Sequence, residues 1–361
     1  MQNVLVTGGA GFIGSNFVRY LLAAEPKVHI YNLDALTYAG SLENLNDLPD
    51  PSRHTFIPGN ICDRELVDAL LHRHQIDTIA HFAAETHVDR SILGPGQFIQ
   101  TNIVGTFTLL DAARQFWLVE KGIPVQAARF HHVSTDEVFG SLKPGDPAWT
   151  EATPYAPNSP YAASKAASDH LVRAYGHTYG LPVTITNCSN NYGPYQFPEK
   201  LIPLMIMNAL AGRPLPVYGD GQQVRDWLYV QDHCEAIWTV LRKGRNGETY
   251  NIGGGNQPAN LVVIHTLCDI LDECLPDSPY TPHEKLIQYV TDRPGHDRRY
   301  AMDITKIQGE LGWQPSQSLQ SGLLKTVEWY LAHPEWIEAV HKQQDYQSWL
   351  EKNYHQRGEV R

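Results

Sequence analysis

The chain has 361 residues, of which 42% are hydrophobic and 19% charged, and its formal net charge is -11. This length exceeds what one hydrophobic core usually supports, so we expect one large domain with a smaller companion. The negative charge argues against a broad nucleic-acid surface, and no apolar run is long enough to cross a bilayer. Five cysteines without CxxC or zinc spacing, and no export signal before the first predicted strand, predict a cytoplasmic protein with reduced thiols.

Short β-branched or apolar runs alternate with helical patterns along the first half of the chain. This alternation is typical of a Rossmann-type α/β fold, in which helices cover both faces of a doubly wound parallel sheet and the crossovers are right-handed. The predicted strands span residues 3–7, 28–33, 54–57, 78–83, 130–134 and 183–187. The predicted helices span residues 13–23, 64–74, 102–115 and 161–179.

The first predicted strand runs into VTGGAGFIGS, which places Gly8, Gly11 and Gly14 at the start of the first helix. Glycines let this turn tighten and let the backbone approach a pyrophosphate, whose negative charge faces the helix N-terminus. Asp34 ends the next strand 20 residues after Gly14, where a carboxylate binds a ribose 2′-hydroxyl. No Arg or Lys follows in DALTYAG to compensate a 2′-phosphate, so NAD is favoured over NADP. A Gly-rich turn with an incidental acid is the alternative.

Later predicted strands end at the same edge of the sheet, in GNICD and HFAAETHVD. Residues at these ends are expected beside the adenine and ribose of the cofactor. The predicted cofactor pocket therefore also includes Phe12, Ile13, Thr37, Asn60, Ile61, Phe82, Ala83, Ala84 and Thr101.

HVSTDEVFG places Asp136 and Glu137 directly after a run predicted to be a buried strand. Neighbouring acids on a strand would point to opposite faces, so one would enter the core unless the chain has already left the sheet. A solvated turn is one interpretation. The other is a pair of catalytic acids at the carboxyl edge of a parallel sheet, where open α/β folds bind their ligands.

YAASK places Tyr161 and Lys165 one turn apart on the same face of a predicted helix. A lysine ammonium beside a phenol favours the phenolate and lowers its pKa. Tyr161 could then take a proton from a substrate hydroxyl as hydride leaves the same carbon. A helix-surface pair of Tyr and Lys is the alternative, but the nicotinamide site predicted upstream favours catalysis.

After about Asn190 the regular alternation gives way to segments interrupted by Pro and Gly, such as NNYGPYQFPEKLIP and GRPLPVYGDGQQ. This change predicts a substrate domain. RDWLYVQDHCEAIWTVL predicts a strand and then a helix that return to the first domain. We expect an NAD-binding domain over residues 1–190, rejoined by about 222–250, a discontinuous substrate-binding domain over 191–330 and a helical tail over 331–361.

GGAGFIG, the strand-end pair of Ser134 and Thr135, and Tyr161-x-x-x-Lys165 make the chain resemble the extended short-chain dehydrogenase/reductase family. Within its nucleotide-sugar branch, the chain is most similar to 4,6-dehydratases through STDEVFG, NNYGPYQFPEKLIP, VYGDGQQVRDWLYV and DRPGHDRRYAMD. Epimerases of this branch share the Gly loop and the Tyr/Lys pair but lack the acid pair. The resemblance implies an NAD-dependent hydro-lyase acting on dTDP-glucose. A UDP- or GDP-sugar 4,6-dehydratase, a 4-epimerase, a decarboxylase and an NAD-binding protein without turnover are the alternatives.

By this resemblance, Glu137 removes the C5 proton, Asp136 in its protonated form donates to the C6 hydroxyl, and Thr135 hydrogen-bonds the C4 oxygen. The hydride returns to C6, so NAD is regenerated in each cycle. The resemblance also implies a homodimer formed through a helical bundle. The family usually has Asp at the position of Asn60 and often Tyr at that of Phe139, and neither departure touches this mechanism.

A nucleotide diphosphate needs local cations in an acidic protein, and Lys200, Arg225 and Arg293 are the candidates. The resemblance places Thr86 near the sugar and Asn191 near the nicotinamide. It adds Asn190, Leu201, Pro216, Tyr218, Asn260 and His296 to the nucleotide pocket. The 17 histidines form no metal-binding pattern, so no metal is predicted.

Overall fold

The computed structural model describes residues 1–124, 127–292 and 297–342. Its main sheet has seven parallel strands in the spatial order β3-β2-β1-β4-β5-β6-β10. The strands are β1 (Asn3–Thr7), β2 (His29–Asp34), β3 (His54–Pro58), β4 (Thr78–His81), β5 (Arg129–Thr135), β6 (Val183–Cys188) and β10 (Thr249–Ile252). The order reverses between β1 and β4, which opens a crevice at the carboxyl ends of the strands. The predicted Rossmann-type fold is confirmed.

The helices of the described residues follow the predicted alternation in the first half and add several elements after it. They are α1 (Phe12–Ala24), α2 (Arg64–His74), α3 (Val88–Leu93), α4 (Pro95–Phe98), α5 (Thr106–Ala113), α6 (Pro160–Tyr179), α7 (Leu201–Leu210), α8 (Val230–Lys243), α9 (Asn260–Cys274), α10 (Thr305–Leu311), α11 (Leu319–Ala332) and α12 (Pro334–His341). π-Helical segments flank α5, at Ile99–Gly105 and Arg114–Glu120, so the helix predicted at 102–115 is part of a longer helical run. Short 3-10 turns lie at Leu42–Leu45, Pro51–Arg53, Asp136–Phe139 and His283–Leu286.

Side-chain alternation along β1 supplies two hydrophobic cores, one on each face of the main sheet. Val4 and Val6 pack in a core with α1 and α8. Leu5 packs in the other core, with α2, α5 and α6. Successive strand residues point to opposite faces, so a parallel strand covered on both sides is apolar throughout. This explains why β1 has the uninterrupted apolar pattern from which it was predicted.

The second half of the chain forms two small parallel sheets and a third core. β7 (Asn190–Tyr192) pairs with β9 (Trp227–Tyr229), and β8 (Leu215–Tyr218) pairs with β11 (Ile287–Val290). α7, α9, α11 and α12 contribute to the third core. Because β9 leads through α8 into β10, the chain returns to the main sheet beside β6. The domain division given above stays a prediction, and residues 343–361 of the predicted tail lie outside the described residues.

Candidate active site

A cleft opens at the carboxyl edge of the main sheet, where the strand order reverses. All the predicted catalytic and cofactor-binding residues line it: Gly8, Gly11, Phe12, Ile13, Gly14, Asp34, Thr37, Asn60, Ile61, Phe82, Ala83, Ala84, Thr101, Thr135, Asp136, Glu137, Tyr161, Lys165 and Asn191. Of the predicted substrate residues, Thr86, Asn190 and Lys200 line the same cleft. The fold therefore brings together motifs that are far apart in the sequence.

The Gly loop forms one wall of the cleft and has the geometry that a dinucleotide requires. Gly8 has a positive φ of 73°, and a Cβ there would lie 2.6 Å from the backbone nitrogen of Ala83. α1 begins after Gly11 without a side-chain cap, so the amide groups of its first turn are left for a ligand. Backbone donors at a helix N-terminus are the usual partners of a pyrophosphate.

Asp34 is held at the end of β2 by two backbone amides. Its Oδ2 accepts a hydrogen bond from the N–H of Ala10 at 2.8 Å, and its Oδ1 accepts one from the N–H of Leu36, also at 2.8 Å. Burial raises the pKa of Asp34, and these two hydrogen bonds oppose the rise. A carboxyl group fixed beside the Gly loop fits the ribose hydroxyls of NAD.

The chain leaves the sheet at Thr135, which explains how two neighbouring acids can follow a buried strand. Thr135 ends β5, and its Oγ1 accepts a hydrogen bond from the N–H of Glu137 at 3.3 Å. Asp136 and Glu137 then lie on the 3-10 turn instead of on opposite faces of the sheet. Both line the cleft, so the interpretation as a solvated turn is wrong for the buried Asp136.

Asp136 has the environment of a neutral carboxyl group. Its side chain is buried, and Oδ2 has no hydrogen-bond partner among the described residues. Burial raises the pKa of Asp136 well above its usual value, and the charges of Glu137 and Asp226 raise it further. A carboxyl group that stays protonated near neutral pH can donate a hydrogen bond and a proton.

Tyr161 and Lys165 lie one turn apart on α6, which begins where Ser159 accepts a hydrogen bond from the N–H of Ala162. Burial raises the pKa of Tyr161 well above its usual value, and the charge of Glu137 adds to this. The lowered pKa predicted for Tyr161 is therefore wrong for this structure, because desolvation raises it and the four-residue spacing to Lys165 does not display burial. Burial also lowers the pKa of Lys165 to about 8. The positive nicotinamide ring of NAD would favour the phenolate, which burial disfavours.

Five predicted substrate residues do not line the cleft: Leu201, Pro216, Tyr218, Arg225 and Asn260. They lie in the second half of the chain, on α7, β8, the segment before β9, and α9. Arg225 donates hydrogen bonds to the carbonyls of Val224 and Asp297, and its guanidinium stacks 4.1 Å from the ring centroid of Tyr300. Their contact with substrate stays a prediction. Arg293 and His296 lie outside the described residues.

Glu199 is a cleft residue that the sequence argument missed. Its carboxyl group is buried, with Oε2 3.5 Å from Nε of Arg90 and 3.7 Å from Nε2 of His87. Burial raises the pKa of Glu199 to about 7. The available signal was its place in FPEKLIP, next to the predicted substrate residues Lys200 and Leu201.

Among the described residues, no helix has the length and apolar character needed to cross a bilayer. Nor do the histidines, cysteines and acids within those residues form any group of three or more that could hold a metal ion.

Comparison with known proteins identifies close relatives over nearly the whole chain. The dTDP-glucose 4,6-dehydratase of Shigella flexneri is 55% identical over 361 residues, which covers 98% of this chain and 99% of the relative. The dTDP-glucose 4,6-dehydratase of Xanthomonas campestris pv. campestris (strain B100) is 60% identical over 341 residues, covering 94% and 96%. The crystal structure of DesIV, a dTDP-glucose 4,6-dehydratase from Streptomyces venezuelae with NAD bound, has a TM-score of 0.83 and 49% identity, covering 94% of this chain and 99% of DesIV. The family model described as GDP-mannose 4,6 dehydratase matches residues 5–326, and the chain belongs to this family of nucleotide-sugar enzymes.

Proposed function

We propose that this chain converts dTDP-glucose to dTDP-4-keto-6-deoxyglucose and water, using NAD that is regenerated in each cycle. The observation that carries this proposal is the arrangement of Asp136 and Glu137 beside Tyr161 in the cleft that the Gly loop opens. Close relatives named dTDP-glucose 4,6-dehydratase support the same reaction. An acid pair beside a base suits an elimination that follows an oxidation.

The first step oxidises the sugar at C4. Tyr161 takes the proton of the C4 hydroxyl, and Thr135 hydrogen-bonds the C4 oxygen. Bound NAD accepts the C4 hydride and later returns it to C6. Lys165 lies one turn from Tyr161 and favours the phenolate through its positive charge. The buried position of both side chains keeps bulk water from this proton transfer.

The second step removes water across C5 and C6. The C4 ketone makes the C5 proton acidic, and Glu137 removes that proton. Asp136 gives its proton to the C6 hydroxyl, which leaves as water. After hydride returns to C6, Glu137 gives the proton back to C5. The raised pKa of Asp136 suits a group that must be protonated when the substrate binds.

The nucleotide-sugar is bound partly in the cleft and partly in the predicted substrate-binding domain. We assign Lys200 to the diphosphate and Thr86 to the sugar, because both line the cleft that also holds the acids. Asn190 presents a buried Oδ1 that has no hydrogen-bond partner among the described residues. Leu201, Pro216, Tyr218, Arg225, Asn260, Arg293 and His296 remain proposed contacts of the nucleotide. The proposed contacts of NAD are Gly8, Gly11, Phe12, Ile13, Gly14, Asp34, Thr37, Asn60, Ile61, Phe82, Ala83, Ala84, Thr101, Tyr161, Lys165 and Asn191.

We also propose a homodimer in the cytoplasm. Exposed apolar side chains lie on α3 and on the helical run that follows it, at Ile92, Leu93, Ile99 and Phe107. Such a face favours contact with a second copy through helices. All five cysteines lie in the described part of the chain and are free thiols, which suits a reducing compartment.

Product analysis with a panel of nucleotide sugars tests the proposed reaction. Purified protein is incubated with NAD and dTDP-, UDP- or GDP-glucose in deuterated water, and the sugars are examined by NMR and mass spectrometry. We expect dTDP-4-keto-6-deoxyglucose, with solvent deuterium at C5 and no requirement for an added reductant. A galactose configuration with an intact C6 hydroxyl would mean epimerisation. Faster conversion of another nucleotide's sugar would overturn the dTDP assignment.

A further inference from the structure

A row of functional side chains continues along α6 beyond the Tyr/Lys pair. Tyr161, Lys165, Asp169 and Arg173 follow one another at four-residue intervals, so they lie along one face of the helix. The first two line the cleft. Asp169 is fully buried and does not line it. A buried carboxyl group one turn behind a buried ammonium needs a physical explanation, since burying either charge alone is costly.

Asp169 is held as a carboxylate by several donors. Its Oδ2 accepts hydrogen bonds from the hydroxyls of Ser134 at 2.9 Å and Tyr155 at 2.8 Å, and from Nδ2 of Asn187 at 3.4 Å. Although burial favours the neutral form, His132, Lys165 and the hydroxyl of Ser134 together hold the pKa of Asp169 below its usual value. The side chain therefore supplies a fixed negative charge inside the fold.

His132 lies between Asp169 and Lys165. Its Nε2 is 3.2 Å from Oδ1 of Asp169 and 3.3 Å from Nζ of Lys165. Neither Nδ1 of His132 nor Oδ1 of Asp169 has a hydrogen-bond partner among the described residues, so the ring hydrogen-bonds Lys165 through Nε2 and only approaches the carboxylate. One nitrogen cannot donate to the carboxylate and accept from the ammonium at the same time. The protonation states of Lys165, His132 and Asp169 are therefore coupled.

The positive charge of Lys165 needs compensation, and the Asp169 carboxylate is a source of it that the other contacts of Lys165 do not replace. Lys165 Nζ also donates a hydrogen bond to the carbonyl of Val133 at 2.8 Å. Burial lowers the pKa of His132 to about 4 and raises that of Cys188 to about 12, so both are neutral near pH 7. The titratable groups facing Lys165 or its neighbours are His81 on β4, His132 on β5, Asp136 and Glu137 on the 3-10 turn, Tyr161, Asp169 and Arg173 on α6, and Cys188 on β6.

We propose that Asp169 and His132 are positioning residues that extend the Tyr/Lys pair. They keep the Lys165 side chain protonated and oriented towards the part of the cleft where Tyr161 takes the proton. Asp169 supplies the counter-charge, and the neutral ring of His132 beside it accepts a hydrogen bond from Lys165. The inference rests on the proposed oxidation at C4, because it assigns a role in that proton transfer. Neither residue touches the substrate, so the effect reaches the reaction through Lys165.

The pH dependence of turnover separates this role from a purely structural one. We would measure kcat and KM for dTDP-glucose against pH in the wild type and in Asp169→Asn, which removes the charge while keeping the shape. Without the counter-charge, Lys165 loses its proton at lower pH, and the Tyr161 phenolate is less favoured. In the profile of kcat against pH, we expect the alkaline limb to move to lower pH and the acid limb to move to higher pH, each by about one unit. At pH 7, kcat should fall roughly tenfold, with KM nearly unchanged because Asp169 does not line the cleft.

Three further variants serve as matched comparisons. His132→Leu removes the group that accepts a hydrogen bond from Lys165. The amide of His132→Gln can accept from Lys165 and also donate to Asp169. His132→Leu should narrow the pH profile, and His132→Gln should keep it close to that of the wild type. Ser168→Ala removes buried hydrogen bonds to the carbonyls of Asn102 and Ser164 and should leave both limbs in place.

The possible results give distinct conclusions. A folded Asp169→Asn enzyme with both limbs in the wild-type position would overturn the inference while leaving the proposed reaction intact. If that variant does not fold, equal profiles for His132→Leu and His132→Gln would overturn it, and a narrowed profile for His132→Leu alone would support it. A wild-type protein that does not convert dTDP-glucose would refute the proposed function itself.

Discussion

Replacing Glu199 with Gln should remove a pH-dependent loss of stability. Glu199 is buried in the cleft, and burial raises its pKa from the ordinary 4.5 to about 7. Between these two pH values the unfolded chain releases this proton while the folded protein keeps it. Stability from this group is therefore fully present below pH 4.5 and is lost as the pH rises through about 7.

The magnitude follows from the distance between the two pKa values. At about 1.4 kcal/mol per pH unit, ionisation of Glu199 lowers the free energy of unfolding by roughly 3 kcal/mol between acid pH and pH 8. Gln at this position has the same shape and no titration. The difference in unfolding free energy between Glu199→Gln and the wild type should therefore grow by about this amount with increasing pH and level off above pH 7.

Urea unfolding at a series of pH values, followed by circular dichroism, measures this difference directly. Glu248→Gln is a suitable comparison, because Glu248 lies outside the cleft, in an ion pair with Lys306 in which its side chain is 41% exposed. We expect Glu248→Gln to differ little from the wild type in unfolding free energy, because exposed ion pairs contribute little to stability. A Glu199→Gln difference that stays constant from pH 5 to 8 would refute the raised pKa of Glu199 and the loss of stability on its ionisation.

The remaining predictions concern catalysis and cofactor binding. Glu137→Gln should stop elimination while dTDP-glucose still reduces the bound nicotinamide, seen by absorbance; full turnover would remove Glu137 as the C5 base. Tyr161→Phe should slow even that reduction by roughly 10²- to 10⁴-fold in stopped-flow measurements, and an unchanged rate would exclude Tyr161 as the base. Asn44 donates a hydrogen bond to the carbonyl of Ala10 at 2.8 Å and accepts one from Nε1 of Trp336 at 2.8 Å. Asn44→Ala should therefore weaken NAD binding, measured by calorimetry, about tenfold, since losing such a hydrogen bond typically costs about 1.4 kcal/mol. An unchanged affinity for NAD would show that the hydrogen bonds of Asn44 do not hold the Gly loop in place.

Local signals in the sequence were enough to predict the sheet and most of the cleft. The helix predicted over residues 64–74 has the observed bounds, because Asp63 caps its start and Gln75 ends it in a left-handed conformation. The strand predicted to end at residue 134 ends at Thr135, close to the predicted point because neighbouring acids on a strand would point to opposite faces of the sheet. Such features depend on contacts within a few residues, which a sequence displays directly.

Features that depend on distant contacts could not be predicted in the same way. The burial that raises the pKa of Tyr161 comes from the folded surroundings, and a four-residue spacing carries no information about it. The contact between Asn44 and Trp336 joins positions 292 residues apart. Asp169 was visible as the next step of the Tyr161 and Lys165 spacing, but its pairing with His132 requires knowing that α6 packs against β5.

The most direct test of the central claim follows a hydrogen isotope through one turnover. dTDP-glucose carrying deuterium at C4 is mixed with dTDP-glucose that carries carbon-13 in its ring and no deuterium, and the product is examined by mass spectrometry. If hydride leaves C4 and returns to C6 of the same sugar, deuterium appears at C6 and stays with the molecules that lack carbon-13. Deuterium lost to solvent, or found in the carbon-13 product, would contradict the account.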